Sequence, residues 1–178
     1  MKLASYKGTR PGIQGIGNIL IRWRLEDQIS HSELIFEPSD GVDDLMPDKT
    51  TKIDNENRLW CASSVIAEKL PDFSPVRAGG FGGVRFKRIN LYNGNWIFIK
   101  VPVSREIKYQ AANWFKNNQG AYYDYPLIAE YVSWALSKEK ASAYICSEAI
   151  AASLGLKEPF RFNPPNLHNT IDFLNTIV

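Results

Sequence analysis

The chain has 178 residues, of which 44% are hydrophobic and 22% charged, and its formal net charge at pH 7 is +2. This length suits one domain with its own core, so we expect a single domain over residues 1–178. The small net charge and the absence of a long Lys/Arg block argue against a nucleic-acid partner. No apolar run reaches the roughly 20 residues that a membrane span requires, and the sequence predicts none.

Cysteine usage and the N-terminal stretch set the expected compartment. The stretch MKLASYKGTRPG reaches Gly and Pro before any apolar segment forms, so we expect no signal peptide and, by default, a cytoplasmic protein. The two cysteines, Cys61 and Cys146, do not make a disulfide framework. Two cysteines and two histidines so widely spaced match no metal-ligand pattern, and we expect neither a metal nor another cofactor.

Strand-like segments dominate the first part of the chain. GNILIRW, Gly17–Trp23, is a short apolar run with β-branched residues and predicts a strand. HSELIFE, His31–Glu37, alternates polar and apolar residues as a half-buried strand does, and LWCASSV, Leu59–Val65, predicts another strand. Between them, Glu37–Arg58 is rich in Pro, Asp, Asn and Gly and predicts an exposed loop. Gly83–Val103 alternates on both sides of the turn NGN and predicts a β-hairpin.

Helix-like segments follow in the second part. SREIKYQAANWFKNNQG has Ser104 in the N-cap position, and CSEAIAASLG runs from Cys146 to a terminating Gly155. DYPLIAEYVSWALSK and NPPNLHNTIDFLNTIV begin with Asp124 and Asn163, continue with proline, and carry apolar residues at helical spacing. Strands followed by helices predict an α+β fold rather than alternating βαβ units.

The cysteines and histidines offer four pairs for nucleophilic catalysis. Cys146 lies where the extended stretch AYI turns into a helix, whose positive end favours a thiolate; a buried structural cysteine is the alternative. Cys61 lies in a strand, which indicates a structural role. His168 lies on the polar face of the last helix, which predicts a solvated residue. His31 is a strand residue that can face a helix N-terminus, so His31 with Cys146 is the favoured pair.

Four stretches in a fixed order resemble a known family. They are GNILIRW leading to SHSELIF; GGVRFKRINL; YDYPLIAEYVSWAL; and YICSEAIAASLGL followed by NPPNL. The chain resembles the circularly permuted NlpC/P60 group of papain-like cysteine hydrolases, most of all its small versions from phages and bacteria. The histidine strand precedes the cysteine helix, the reverse of the papain order. The resemblance spans about Leu3 to Leu174 apart from the Glu37–Arg58 loop, and it implies an antiparallel sheet packed against a small helical layer.

The resemblance also implies roles by position. Cys146 is then the nucleophile, and His31 is its general base and later its general acid. Papain-like sites use a third polar residue to orient the imidazole. Glu33 lies two residues after His31 on the same strand face and is the first candidate, with Ser63 and Ser64 as alternatives. A Glu33 that is paired elsewhere or faces solvent is the other interpretation.

The function expected on this basis is hydrolysis of an amide bond by a cysteine peptidase or amidase, with cell-wall peptides among the candidate substrates. A lipid acyltransferase or esterase on the same fold is the alternative, and it would need an apolar membrane-docking segment beside the cleft, which the sequence does not display. A phage virion or binding component with a vestigial site is a third possibility. The expected partner is therefore a peptide, cell-wall or other acyl substrate.

Overall fold

The fold is α+β, with a five-stranded antiparallel sheet and four helices in the part of the chain that is described. A computed structural model describes residues 1–9, 13–124 and 143–177. The strands are β1 Lys2–Tyr6, β2 His31–Phe36, β3 Leu59–Lys69, β4 Phe81–Ile89, β5 Trp96–Lys100, β6 Tyr122–Tyr123 and β7 Ala143–Tyr144. The helices are α1 Ile13–Leu25, α2 Arg105–Asn118, α3 Cys146–Ser153 and α4 Pro164–Ile177.

The sheet has the strand order β4-β3-β2-β1-β5, and every neighbouring pair is antiparallel. β2 therefore lies in the centre, between β1 and β3. The two-residue strands β6 and β7 form a separate parallel pair that leads directly to the start of α3. The centre of the sheet and the beginning of α3 are thus the two places that the fold brings close to each other.

Alternation along β2 separates two buried clusters, as the sequence pattern predicts. Leu34 and Phe36 belong to the main core, which also contains buried residues of α2, α3 and α4. Ile35 belongs to a smaller cluster with Cys61 and Trp96. All six residues of β2 are buried, so the polar residues of this strand must find their partners inside the protein.

The prediction of a strand at Gly17–Trp23 is wrong, because this stretch lies within the helix α1. A short apolar run cannot distinguish a strand from a buried helix by its period, and β-branched residues bias the choice toward a strand. Arg22 and Arg24 occupy the last turn, where positive charge suits the helix dipole. The N–H of Asp27 closes the helix on the Arg22 carbonyl at 3.2 Å.

The predicted hairpin over Gly83–Val103 is also wrong. Both strands exist, but β4 pairs with β3 and β5 pairs with β1, so they lie on opposite edges of the sheet. The turn signal NGN is real, since Gly94 has a positive φ of 75°. A turn of this kind reverses the chain locally, but it does not determine which strand becomes the neighbour.

The segment Glu37–Arg58 is more ordered than the predicted exposed loop. It contains two single 3-10 turns, Pro38–Asp40 and Asp43–Leu45. Five of its side chains are buried, and three of them belong to the main core: Asp40, Val42, Leu45, Met46 and Thr51. Its Pro, Asp and Gly content reflects tight turns packed against the sheet.

Three of the four helices predicted after β5 are confirmed. They are α2, α3 and α4. Ser104 caps α2, with its hydroxyl accepting the N–H of Ile107 at 3.4 Å. Gly155 has the left-handed φ of 73° expected at the end of α3. The helix predicted in DYPLIAEYVSWALSK, residues 124–138, lies outside the described residues apart from its cap Asp124.

Candidate active site

Cys146 is the first residue of α3, where an extended chain turns into a helix. Ile145 has the extended conformation of an N-cap residue, and its N–H donates to the Glu148 carboxylate at 3.2 Å. The hydroxyl of Ser147 donates to the Phe162 carbonyl at 2.6 Å, which fastens the first turn to the segment before α4. The site therefore begins with a thiol at a rigidly held helix N-terminus.

His31 is the first residue of β2, and its imidazole is bound by Glu33. The distance from His31 Nε2 to Glu33 Oε1 is 2.9 Å. The two side chains meet because residues i and i+2 of a strand lie on the same face. With Nε2 taken by the carboxylate, Nδ1 is the ring nitrogen available to another group.

Arg85 in β4 holds the other side of the Glu33 carboxylate. Its Nη1 donates to Oε2 at 2.7 Å and its Nη2 to Oε1 at 2.6 Å, a two-pronged ion pair in which both side chains are almost fully buried. Burial alone would raise the pKa of Glu33, but the charge and hydrogen bonds of Arg85, with those of His31, hold that pKa well below its usual range. Glu33 is therefore a fixed anion beside the imidazole.

The thiol of Cys146 and the ring of His31 interact directly through a hydrogen bond and through charge. Burial alone would raise the pKa of Cys146, but the charge and hydrogen bond of His31, together with backbone donors, outweigh burial and lower that pKa. Burial alone would lower the pKa of His31, but the thiolate and then Glu33 raise it. Both shifts favour a thiolate–imidazolium pair over two neutral groups.

Backbone donors add to the stabilisation of the thiolate. The N–H groups of Ser32 and Ser147 both hydrogen-bond to Cys146 and lower its pKa. The ladder between β2 and β3 joins Leu34–Phe36 to Trp60–Ala62. Beyond this ladder, a side chain joins the two strands at Ser32, where the Ser63 hydroxyl donates to the Ser32 carbonyl at 2.7 Å.

The two serines that the sequence left as alternatives to Glu33 bond elsewhere. Ser63 binds the carbonyls of Ser32 and Ser64, and the Ser64 hydroxyl donates to the Tyr144 carbonyl at 2.6 Å. Ser63 thus extends a strand ladder, and Ser64 ties β3 to β7. Of the three candidates, Glu33 is the one whose side chain contacts the imidazole.

Cys146 and His31 are buried, but each keeps a small exposed surface. Cys146 exposes 4% of its surface and His31 exposes 7%. The His31 ring also meets the edge of Trp96, with ring centroids 6.3 Å apart. Burial disfavours each charge taken alone, but it also strengthens the attraction between the two charged groups.

The second cysteine and second histidine lie in other environments. Cys61 is fully buried in the smaller cluster, and burial raises its pKa well above the ordinary value. His168 is not the solvated residue predicted from the sequence. It is half-buried, its Nδ1 lies 2.9 Å from the Ser5 hydroxyl, and burial lowers its pKa. The pairing of His31 with Cys146 is therefore the one that the fold brings together.

Sequence reasoning missed two parts of the site, namely Arg85 and the Ser32 N–H. Arg85 and Lys87 lie two residues apart on the same face of β4. Lys87 is exposed, whereas Arg85 exposes only 2% of its surface. The available signal was Glu33 itself, because a carboxylate requires a cation if its strand is buried. The residue types do not reveal which backbone N–H is a donor, because every residue except proline has one.

Comparison with protein-family models, with curated proteins and with solved structures finds no match. Within the described ranges, no helix combines the length and the apolar character needed to cross a bilayer. The same residues hold no group of three or more His, Cys, Asp and Glu side chains suited to a metal ion.

Proposed function

We propose that the chain is a cysteine hydrolase of the permuted NlpC/P60, papain-like type that cleaves an amide bond through an acyl-enzyme. The observation that carries this proposal is the imidazole of His31 set between the Cys146 thiol and a carboxylate fixed by Arg85. A nucleophile, a base bonded to it and a third group that orients the base are the parts that covalent acyl transfer needs.

The reaction follows from these parts. The Cys146 thiolate attacks the carbonyl carbon and forms a C–S bond, and backbone N–H groups at the start of α3 bind the developing oxyanion. The His31 imidazolium gives its proton to the leaving amine as the C–N bond breaks. Neutral His31 then takes a proton from water as the water oxygen attacks the thioester, the C–S bond breaks, and the carboxylic acid leaves with the Cys146 thiolate and the His31 imidazolium restored. Glu33 keeps the imidazole oriented throughout.

Thiol alkylation tests whether His31 makes the Cys146 thiol reactive. We expect iodoacetamide to label Cys146 at pH 6 at least about tenfold faster than a thiol of ordinary pKa, because the pKa of Cys146 is lowered. His31→Ala should remove most of this advantage. Labelling rates at each cysteine are measured by mass spectrometry of the digested protein.

Cys61 provides the internal control, because it is fully buried and its pKa is raised. It should remain unlabelled in the folded protein. A Cys146 rate that follows an ordinary thiol profile and ignores the His31→Ala change would rule out the proposed hydrolase.

A lipid ester substrate is the second candidate, and helix α1 favours it. On this helix Ile19 and Trp23 are one turn apart and expose 53% and 73% of their surfaces. Asn18, in the same helix, donates to the Ser30 hydroxyl at 3.0 Å, next to His31. An exposed aliphatic and an exposed indole on a helix bonded to the catalytic strand are the kind of apolar segment that this alternative requires.

Vesicle binding distinguishes the two candidates. If the substrate is a lipid, Ile19→Ser/Trp23→Ser should reduce co-sedimentation with phosphatidylcholine–phosphatidylglycerol vesicles about fivefold or more, because the two exposed apolar side chains that would enter the bilayer are lost. Phe173→Ser on α4 is a matched control, since Phe173 is 63% exposed on a different helix. No binding by the unaltered protein, together with cleavage of peptides, would favour the amidase.

A further inference from the structure

We propose that Arg85 is a positioning residue for the reaction, which acts on His31 and Cys146 through Glu33. This inference rests on the proposed function, and it concerns a residue with no direct contact to the thiol. Arg85 lies on β4, two strands away from His31 on β2.

The geometry makes Arg85 a clamp on the carboxylate. Two donors of one planar guanidinium fix both oxygens of Glu33, at 2.6 Å and 2.7 Å. Oε1, the oxygen that binds Nη2, is also the one that lies 2.9 Å from His31 Nε2. A two-pronged pair fixes the plane of a carboxylate as well as its position, so Arg85 determines where the partner of the imidazole lies.

The charge of Arg85 also supports its role as a positioning residue. Without Arg85, the buried Glu33 carboxylate would keep only His31 as a cationic partner and would take up a proton more readily, and a neutral Glu33 would no longer stabilise the imidazolium. The charged or titratable groups near Arg85 are Glu33, the half-buried Glu68 and Cys61. Glu68 is the weaker partner, because it lies 3.4 Å from Arg85 Nε and is shared with Lys87. The guanidinium charge therefore acts mainly on Glu33.

A neighbouring arginine on the same strand shows what a structural pair looks like. Arg88 binds Asp48 at 2.8 and 2.9 Å and covers the Trp60 ring, with 4.9 Å from its guanidinium carbon to the ring centroid. This pair ties a loop to the sheet and has no contact with His31 or Cys146 among the described interactions. Arg88→Met is therefore the matched control for Arg85→Met.

The test is the pH profile of Cys146 alkylation by iodoacetamide in the unaltered protein and in five variants. We expect Arg85→Met and Glu33→Gln each to move the midpoint upward by about one pH unit, which lowers the rate at pH 6 about tenfold. Glu33→Gln/Arg85→Met should match Glu33→Gln alone, because Arg85 has no carboxylate left to hold. Arg85→Lys keeps the charge without the fork and should fall between the unaltered protein and Arg85→Met. Arg88→Met should leave the midpoint unchanged.

The outcomes separate this inference from the function on which it rests. An ordinary thiol profile in the unaltered protein overturns both. A low midpoint that Arg85→Met and Arg85→Lys leave in place overturns the role of Arg85 alone. If Arg85→Met does not fold, Arg85→Lys and the uncharged double variant give the answer. A double variant with a higher midpoint than Glu33→Gln also contradicts action through Glu33.

Discussion

Replacing His31 by asparagine is expected to lower kcat/KM for an acyl substrate by a factor of about 10²–10⁴. Asparagine can still hydrogen-bond to Glu33, but it cannot take up and release a proton near neutral pH. Both the activation of Cys146 and the protonation of the leaving group are then lost. The measurement is hydrolysis of a p-nitrophenyl ester at equal concentrations of folded protein; it reports the activation of Cys146 and deacylation, because p-nitrophenolate leaves without a proton.

His168→Asn is the matched control for this change. His168 contacts Ser5 and has no described contact with Cys146, so its replacement should leave kcat/KM nearly unchanged. Equal losses in the two variants would mean that ester hydrolysis does not depend on the His31–Cys146 pair. An unchanged kcat/KM in His31→Asn would contradict the assignment of the general base.

Gly83→Ala is expected to destabilise the protein by about 3 kcal/mol, the largest stability effect of a single methyl group that we predict. Gly83 has a φ of 128°, and a Cβ there would overlap the carbonyl oxygen of Ala121. The same carbonyl accepts the N–H of Val84 at 3.0 Å, and the Val84 carbonyl accepts the N–H of Gly120 at 2.9 Å. The added methyl group would separate β4 from the segment that leads to β6.

Gly94→Ala isolates the steric part of this effect. Gly94 also has a positive φ, 75°, but a Cβ there meets no atom within 4 Å. Its replacement should cost about 1 kcal/mol from backbone strain alone. Urea denaturation gives both free energies of unfolding. Equal losses in the two variants would show that the approach of Ala121 to Gly83 is not what matters.

Local patterns in the sequence predicted the parts of the site that are local in the structure. The i, i+2 spacing of His31 and Glu33 places both side chains on one face of β2, where they are hydrogen-bonded. The change from extended chain to helix at Cys146 and the left-handed Gly155 are likewise properties of short stretches. Each of these predictions needed only the geometry of one element.

The missed features depend on residues that are distant in the sequence. The place of β5 beside β1, the burial of Val42 and Met46, and the pairing of Arg85 with Glu33 are all decided by which segments pack together. The error in α1 has a related cause. The apolar residues of a short segment suit a strand or a helix, and the neighbours in the fold decide between them.

The order of the elements along the chain has a consequence for biosynthesis. All five strands of the sheet precede α3, so a ribosome completes the part of the candidate site that holds His31, Glu33 and Arg85 first. The sulfur emerges later and acquires its lowered pKa only when α3 docks beside Ser32. In a nascent chain, Cys146 is therefore expected to have the ordinary pKa of a free thiol until α3 docks.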